Sequence, residues 1–491
     1  MVVTSYKDII GSNYNLAPSQ LMTLGVPNKN KSFIRDLLSR KLKFSDNGNE
    51  VGSVNYISKS PKYFIRAKAL QKESFLPFLT EETAISIRPQ IFTDFDLKAG
   101  DILISKDSNI GEAVILDKDL PNHTISGALY KLPVKENKYY LFAFLKHKYF
   151  LNQLDLLVPK GATIRHAKTL FVDCKVPFPN QKNKDNVVTY VELLTQAIIA
   201  KEKEIRKKYE QILIVIEQEL LENQKDEEFE YQQPSLVKLK KYNRINAGFY
   251  SEYFSKSEFT IKNYRLGFSN IKGLGFNASR GQNLQISCIG KSIYSDKYKE
   301  GFYTVIKPKH LSIYGTAFSR EYLGNAKKLK TLKAGDIIFG AEGFNKGRSM
   351  VILKDRDKTI TNIHGITINH KEGDISLSIF IKCFLDYLRK TGMTDLYAVG
   401  GNGGSLAMKY LDIIPFPNFP KNKQEQIIGL YNNLTDYPKS LNLKNFLEED
   451  QRWNEKSGII EIDKSTKQLK KQLNSVLDKI VNDEVVNLEF V

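Results

Sequence analysis

The chain of 491 residues has little cysteine, one tryptophan and no long apolar run. Its cysteines, Cys174, Cys288 and Cys383, are far apart and form no Cys-x-x-Cys pair, so the sequence supports neither a disulfide framework nor a zinc knuckle. We expect all three to be small buried hydrophobic residues. No stretch approaches the ~18 apolar residues of a membrane span, and the N-terminus lacks the plan of a signal peptide. We therefore expect a cytoplasmic protein that does not contact a membrane.

Signatures of catalysis are also missing. Residues 288–292 end like a phosphate-binding loop, but Gln285 stands where that loop requires its first glycine. No Pro-Pro pair occurs, which argues against a base methyltransferase, and no Pro-Asp pair introduces the carboxylates of a metal nuclease. His364 and His370 flank an apolar stretch at a spacing without a metal signature, so we expect sheet residues. The sequence predicts no catalytic residue, no metal and no cofactor.

Positive charge is what the chain has in excess. Its formal net charge is +18 and its pI is near 9.3. A protein with such a field usually has a polyanionic partner, which favours nucleic acid. A lysine-rich composition of other origin would give the same number, so the charge alone does not decide the function.

The chain contains two copies of one unit. The segment 97–104 (LKAGDILI) reappears at 332–339 (LKAGDIIF). The similarity continues from 112–116 to 349–353, and from 176–180 (VPFPN) to 414–418 (IPFPN), with almost the same shift in numbering. Repeats of this kind decide how a fold is interpreted. A near-constant shift that holds from the first matched segment to the last indicates a tandem duplication.

Each copy has the same predicted order of elements. A Gly-Asp turn, in which Asp101 and Asp336 act as turn residues, leads through a short strand and a polar loop (106–111 or 341–347) to a second strand. A weaker match, Lys68-Ala69-Leu70 with Lys309-His310-Leu311, lies before the turn. A helical stretch follows the second strand. The residues at helical spacing are Tyr140, Phe144, His147 and Leu151 in the first copy, and Leu377, Ile381, Phe384 and Leu388 in the second. The latter stretch also alternates, although its spacing predicts a helix.

A glycine-containing loop follows the helical stretch, at 160–168 in the first copy and 400–405 in the second. Glycine allows close approach to another molecule, and the neighbouring Arg165, His166 and lysines indicate a phosphate or a base edge nearby. A surface turn with solvated charges is the alternative. Each copy then closes with Pro-Phe-Pro-Asn, which acts as a stiff elbow before a helix.

The first of these helices is unusually long. Apolar residues recur at helical spacing over about 186–221, with one stutter near Lys201. Without proline or glycine, such a helix would be roughly 54 Å long. Its weaker counterpart is a helix over 424–434 and a second one through Leu469, Leu473, Val476 and Ile480, with a polar stretch around Trp453 between them. The two helical regions are expected to pair as an antiparallel coiled coil with approximate two-fold symmetry.

This order of elements resembles the specificity subunit of type I restriction-modification systems. The resemblance is carried by the paired Gly-Asp-Ile motifs at 100–103 and 335–338, by the loop 161–166, and by 413–417 followed by Glu425-Gln426 and Ile428. The first copy departs from it, since Asp185-Asn186 replaces Glu-Gln. The fold class it implies is α+β, with two tandem α/β target recognition domains separated by long paired helices. The implied boundaries are 1–180 and 227–420 for the recognition domains, 181–226 for the spacer helix, and 421–491 for the C-terminal helical region.

The function implied by the resemblance is that of a non-catalytic subunit that reads a split double-stranded DNA target. Its expected partners are methyltransferase subunits, two of them, and restriction subunits. Contact with DNA is predicted for Lys160, Arg165, His166, Lys168, Asn345, Lys346, Arg348, Asn402 and Ser405. The docking helices are marked by Val191, Leu194, Ile198, Ile205, Ile212, Ile427, Leu469 and Leu473.

Two other functions remain to be weighed. A structural adaptor would use the same helices to gather partner subunits, with the basic charge incidental; it would bind random duplex with little dependence on salt. A DNA-modifying enzyme would have to transfer methyl groups or cleave DNA by itself.

Overall fold

The long helix is present and is the largest single element, Lys184–Glu222. The structure, a computed structural model, describes residues 26–158, 166–355, 358–400 and 404–490. Twelve α-helices occur in these ranges, which together with small sheets confirm the α+β class. They are α1 (Lys138–Lys146), α2 (Lys148–Leu157), α3 (Lys184–Glu222), α4 (Leu236–Tyr242), α5 (Glu252–Lys262), α6 (Ile286–Ile289), α7 (Ile375–Lys390), α8 (Met393–Tyr397), α9 (Met408–Leu411), α10 (Lys421–Tyr431), α11 (Phe446–Lys456) and α12 (Ile459–Val481).

The chain divides into two units. Unit 1 consists of residues 1–204, 435–456 and 462–491, and unit 2 consists of residues 205–434 and 457–461. Helix α3 therefore contributes its first half to unit 1 and its second half to unit 2. The segments 435–456 and 462–491 belong to the same unit as the N-terminal residues.

Unit 1 contains three small sheets. The first has the order β5-β4-β7, with both neighbours antiparallel to β4, and the second has the order β3-β2-β6, with β2 and β6 parallel. The third pairs β1 with β8. The strands are β1 (Lys31–Phe33), β2 (Tyr63–Ile65), β3 (Ala84–Ser86), β4 (Ile102–Ser105), β5 (Ala113–Ile115), β6 (His123–Ile125), β7 (Leu129–Leu132) and β8 (Lys175–Pro177).

Unit 2 repeats this arrangement with additions. The sheet β10-β17-β14-β15 contains a central strand, β14, with antiparallel neighbours, and the sheet β11-β13-β12-β16 contains a parallel pair, β12 and β16. A third sheet pairs β9 with β18. The strands are β9 (Phe268–Ser269), β10 (Phe276–Arg280), β11 (Ile293–Ser295), β12 (Tyr303–Val305), β13 (Glu321–Gly324), β14 (Ile337–Gly340), β15 (Ser349–Val351), β16 (Thr359–Ile360), β17 (Gly365–His370) and β18 (Phe416–Pro417).

The Gly-Asp turns of the two units share a backbone conformation and a hydrogen bond. Gly100 has φ +85° and Gly335 has φ +87°, backbone that favours glycine. The Asp101 carboxylate accepts the N–H of Lys98 at 2.8 Å, and the Asp336 carboxylate accepts the N–H of Lys333 at 2.8 Å. Both aspartates are therefore turn residues, as their sequence context predicts.

The weaker upstream match also has a structural basis. Residues 67–69 and 308–310 each form a 3-10 helix shortly after a strand of a parallel pair, β2 in unit 1 and β12 in unit 2. The N–H of Ala69 bonds to the carbonyl of Arg66 at 2.9 Å, and the N–H of His310 bonds to that of Lys307 at 2.9 Å. The duplication thus extends upstream of the Gly-Asp turn.

The apolar seam of α3 is buried. In unit 1 its residues Val187, Val191, Leu194 and Ile198 form one core with Leu469, Leu473 and other residues of α12. Three polar contacts fix the direction of the pairing: Gln181 with Val486, Tyr190 with Gln472, and Glu202 with Lys470. Positions that rise from Gln181 into α3 meet positions that fall along the C-terminal segment, so the packing within unit 1 is antiparallel, as predicted.

The interruption of the apolar spacing near Lys201 corresponds to a buried charged side chain. The Lys201 side chain is fully buried, and its Nζ lies 2.7 Å from Asp450 Oδ1 and 2.7 Å from Asn454 Oδ1. The rings of Trp453 and Tyr437 lie 4.5 and 5.4 Å from the ammonium, which adds cation–π attraction. Burial lowers the pKa of Lys201 to about 8. The segment around Trp453 is thus helix α11, which supplies the polar partners of the long helix.

Three expectations need correction. His147 ends α1 and caps α2 in extended backbone, so the first helical stretch is two helices. Helix α10 begins at Lys421 and ends at Tyr431, earlier at both ends than predicted. The second helical stretch is confirmed as the continuous helix α7. Cys174 and Cys383 are buried, but Cys288 is exposed.

No helix among the described residues is long and apolar enough to cross a membrane.

Candidate nucleic-acid interface

In each unit the loop that follows the central strand meets the segment that contains the glycine loop. In unit 1 Asp107 and His166 form an antiparallel bridge, and Ala167 N–H bonds to the Lys106 carbonyl at 2.8 Å. In unit 2 Glu342 and Ser405 form the equivalent bridge. Leu406 N–H bonds to the Ala341 carbonyl there, also at 2.8 Å. The two segments that the sequence marks as functional are therefore neighbours in both copies.

A histidine is bound to the first acidic residue of each polar loop. The Nδ1 atom of His166 lies 2.6 Å from Asp107 Oδ1. The Nδ1 atom of His364 lies 2.6 Å from Glu342 Oε2. In both pairs the imidazole is more than half exposed, at 55% and 61%, and the carboxylate lies beneath it at 21% and 34%. The imidazole is thus the part of each pair that a ligand would meet first.

Unit 2 adds a cation to this pair. Arg280, the last residue of β10, places Nη1 3.0 Å from Glu342 Oε1, and Nη2 3.5 Å from Ser405 Oγ. Glu342 therefore holds His364 with one oxygen and Arg280 with the other. These contacts join β10, the polar loop and the end of the glycine loop at one exposed place.

Unit 1 has lysines at the equivalent place. Lys106 precedes Asp107, and its Nζ lies 5.5 Å from the ring of Tyr130. Lys168 is exposed, with φ +48°. Burial, together with the charge of Asp107, raises the pKa of Tyr130. A neutral phenol and lysine ammonium groups can contact phosphate oxygens, which are the commonest protein contacts on DNA.

The residues predicted to contact DNA have different surroundings. Lys160, Arg165 and Asn402 lie outside the described residues. Asn345 ends a 3-10 helix, and its carbonyl accepts the N–H of Arg348 at 3.1 Å. His166, Lys168 and Ser405 lie where the loops meet.

Lys346 and Arg348 are engaged inside unit 2. The Lys346 ammonium lies 2.8 Å from Asp395, and its side chain is 9% exposed. Arg348 donates to the carbonyl of Leu311 at 2.9 Å, and burial lowers the pKa of its guanidinium. These two cations hold the polar loop in place, so their contribution to ligand binding would be indirect.

The residues that mark the docking helices are covered within the chain. Each of the eight is at most 6% exposed: Val191, Leu194, Ile198, Ile205, Ile212, Ile427, Leu469 and Leu473. A partner subunit could contact only the outward faces of these helices. In the half of α3 that belongs to unit 2, Ile214 and Leu221 are 49% and 61% exposed and lie seven positions apart, on one face.

Four residues of the site were not predicted to be functional: Asp107, Glu342, His364 and Arg280. A signal for the first two exists in the sequence, because positions 107 and 342 are related by the same shift in numbering as the Gly-Asp turns, and both are acidic. His364 was expected to be a sheet residue, and it does immediately precede β17. The described residues contain no group of three or more His, Cys, Asp or Glu that could bind a metal ion.

Comparison with known proteins adds a structural likeness. No family model and no curated protein matches the sequence. The structure is similar to the type I restriction-modification S subunit from M. genitalium, with 13% identity and a TM-score of 0.38 over 95% of this chain and 98% of that one. It is also similar to the HsdS subunit from Thermoanaerobacter tengcongensis, with 11% identity and a TM-score of 0.26 over 86% and 91% of the two chains.

A third similar chain comes from a type I system studied for its complex assembly and conformational transition; the identity is 12% and the TM-score 0.29, over 94% and 100% of the two chains. All three belong to type I restriction-modification systems.

Proposed function

We propose that this chain is a non-catalytic subunit that gives sequence specificity on double-stranded DNA by reading a bipartite target, one half with each unit. The observation that carries the proposal is the repeated loop junction: Asp107 with His166 in unit 1, and Glu342 with Ser405 in unit 2. A duplicated exposed site in one chain suits a ligand that presents two separate places to bind. A DNA duplex with two half-sites is such a ligand.

The two units share a backbone frame but differ in the side chains of their loops, which fits this function. The hydrogen bond that closes the Gly-Asp turn measures 2.8 Å in both units, whereas the loop junctions carry different side chains. Contacts with the phosphate backbone of DNA position a protein on the duplex, and side-chain contacts with base edges determine which sequence it binds. A common frame with different loops therefore predicts two half-sites of different sequence. We assign the two halves to recognition domains at 1–180 and 227–420.

The charge of the chain supports a polyanion as ligand. With a net charge of +18, the chain would gain most of its affinity from phosphate contacts. Each contact releases counterions from the duplex, so affinity should fall steeply as salt is raised. Sequence choice should depend less on salt, because base contacts release no counterions.

The helical regions, 181–226 and 421–491, would dock the enzymatic partners. The seam residues are buried, so we assign docking of methyltransferase subunits to outward faces such as that of Ile214 and Leu221. Exposed apolar residues on a helix face are typical of a protein interface. Two methyltransferase subunits and, through them, restriction subunits complete the proposed assembly.

The test is selection of duplexes by the purified full-length chain from a random library, at low and at moderate salt. We expect two short conserved half-sites with a gap of indifferent sequence, and affinity that decreases steeply with salt. A single uninterrupted motif would contradict two separate readers. Binding without sequence preference, and with little salt dependence, would instead favour the adaptor function. Methyl transfer or cleavage by the chain alone would overturn the non-catalytic assignment.

A further inference from the structure

The histidine–carboxylate pair occurs in both units, but the two histidines come from different places in the repeat. Lys106 N–H bonds to the Ala128 carbonyl, and Ala341 N–H bonds to the His364 carbonyl, so Ala128 is the counterpart of His364. The bridges in the two units make Ser405 the counterpart of His166. Neither histidine is thus matched by a histidine in the other copy.

Duplication of one ancestral unit therefore does not explain both pairs. The acidic position is shared by the copies, since Asp107 and Glu342 follow the matched turns at the same distance. The imidazole reaches that position from the glycine-loop segment in unit 1 and from the residue before β17 in unit 2. Two routes to one arrangement indicate that the arrangement itself is useful.

The histidine–carboxylate pairs do not serve to stabilise the fold. Both imidazoles are more than half exposed, and ion pairs of exposed groups contribute little to folding. A carboxylate that accepts a hydrogen bond from Nδ1–H instead fixes the orientation of the ring. The ring nitrogen Nε2 is then left at the outer edge, and no hydrogen bond to it occurs among the described residues of either unit.

We propose that His166 and His364 are the equivalent DNA-contacting residues of the two units, each held by its carboxylate so that Nε2 contacts the duplex. The proposal rests on the function proposed above and names residues within it. Neutral Nε2 accepts a hydrogen bond from an exocyclic amino group, and protonated Nε2 donates one to guanine or to a phosphate. Asp107 and Glu342 are positioning residues. In unit 2 Arg280 also binds the Glu342 carboxylate, at 3.0 Å.

Two kinds of substitution at each histidine distinguish contact with DNA from a merely structural role. Asparagine places a polar atom near the position of Nδ1, so His166→Asn and His364→Asn retain a partner for the carboxylate but lose Nε2. Glutamine places a polar atom near Nε2, so His166→Gln and His364→Gln retain the outer group. His370→Asn, at the other end of β17, is the matched control.

The experiment measures binding of each full-length variant to the selected duplex and to duplexes with one half-site scrambled. We expect the asparagine variants to lose about tenfold to a hundredfold in affinity, each only where its own half-site is intact, and the glutamine variants to lose clearly less. An equal loss on all sequences would assign Nε2 to a phosphate and still support the contact. His370→Asn should bind like the wild type.

Two results would overturn the inference while leaving the function intact: full affinity of both asparagine variants, or a greater loss with glutamine than with asparagine. The second would show that the imidazole serves the carboxylate and not the DNA. Unfolding midpoints equal to that of the wild type exclude loss of fold as the cause. If the wild-type chain itself selects no duplex, the proposed function fails first, and that outcome is distinct from failure of the two histidines.

Discussion

The Lys201 ammonium lies 2.7 Å from the Asp450 carboxylate, and both side chains are almost fully excluded from solvent, at 0% and 2%. A charge in the middle of an apolar seam disfavours any pairing that leaves it without a partner. Asn454 and the ring of Trp453 complete the surroundings of the ammonium. Lys201 thus selects one register for the packing of α3 against α11.

Removal of this ammonium should be strongly destabilising. In Lys201→Met the Asp450 carboxylate stays buried without its cation, which costs roughly 3–5 kcal/mol. Trp453 is the only tryptophan of the chain and lies 4.5 Å from Lys201 Nζ. Urea unfolding followed by tryptophan fluorescence therefore reports directly on this site.

The matched double variant, Lys201→Met with Asp450→Leu, should recover most of the lost stability, because no buried charge remains. Arg452→Ala is the control for an exposed pair with Glu448, and should change stability by less than about 0.5 kcal/mol. A small effect of Lys201→Met alone would contradict the assigned role.

His147 should make unit 1 sensitive to acid. Its side chain is 1% exposed, its Nδ1 accepts the N–H of Tyr149, and burial lowers its pKa from 6.5 to about 4. Between these two values the unfolded chain binds a proton that the folded chain does not, so stability falls as pH is lowered from 6.5 towards 4. The contribution is roughly 3 kcal/mol once the pH is below both values.

The variant His147→Asn isolates this effect. Asparagine keeps an acceptor at the N-cap of α2 but does not titrate. We expect the unfolding free energy of the variant to fall less between pH 6.5 and 4 than that of the wild type, in paired urea titrations. Parallel pH profiles would show that His147 is already protonated in the folded state.

A side chain at the glycine of either Gly-Asp turn should lower the stability of the protein. Gly100→Ala and Gly335→Ala would place a Cβ in left-handed backbone, at a cost of about 1–2 kcal/mol each. Gly429→Ala is the matched control: it lies inside α10, where a Cβ would meet nothing within 4 Å. It should raise stability by roughly 0.5–1 kcal/mol. Thermal unfolding of the three variants tests this, and a stabilised Gly100→Ala would exclude the described turn.

Two lysines of the predicted DNA-contacting set should behave differently. Lys168 is exposed, so Lys168→Ala should weaken binding on all duplexes and reduce the salt slope by about one, with unchanged stability. Lys346 is paired with Asp395 and 9% exposed, so Lys346→Ala should destabilise unit 2 by about 1 kcal/mol, mainly through lost packing of its stem. Equal effects of both variants on affinity and stability would contradict this division.

What the sequence predicts well is what depends on neighbouring residues. The turn at Gly100 and Asp101 needs only local backbone chemistry, and the long helix needs only a regular apolar spacing, so both were predicted from the residues alone. The partner of Lys201 could not be predicted, because Asn454 lies 253 positions further along the chain. The contact between His364 and Glu342 depends on how β17 pairs with β14, which composition and spacing do not determine.

Unit 1 is formed by segments from both ends of the chain, and this has a consequence for biosynthesis. Its core needs Leu469 and Leu473, so the ribosome must translate past these residues before the N-terminal half can close around α3. The residues of unit 2 up to 434 emerge earlier and in one continuous stretch. Most of the half that is translated second is therefore able to fold first, before its last segment, 457–461, is made. Until α12 is released, the nascent chain exposes the apolar face of Val191, Leu194 and Ile198, where chaperones would bind it and where premature termination would cause aggregation.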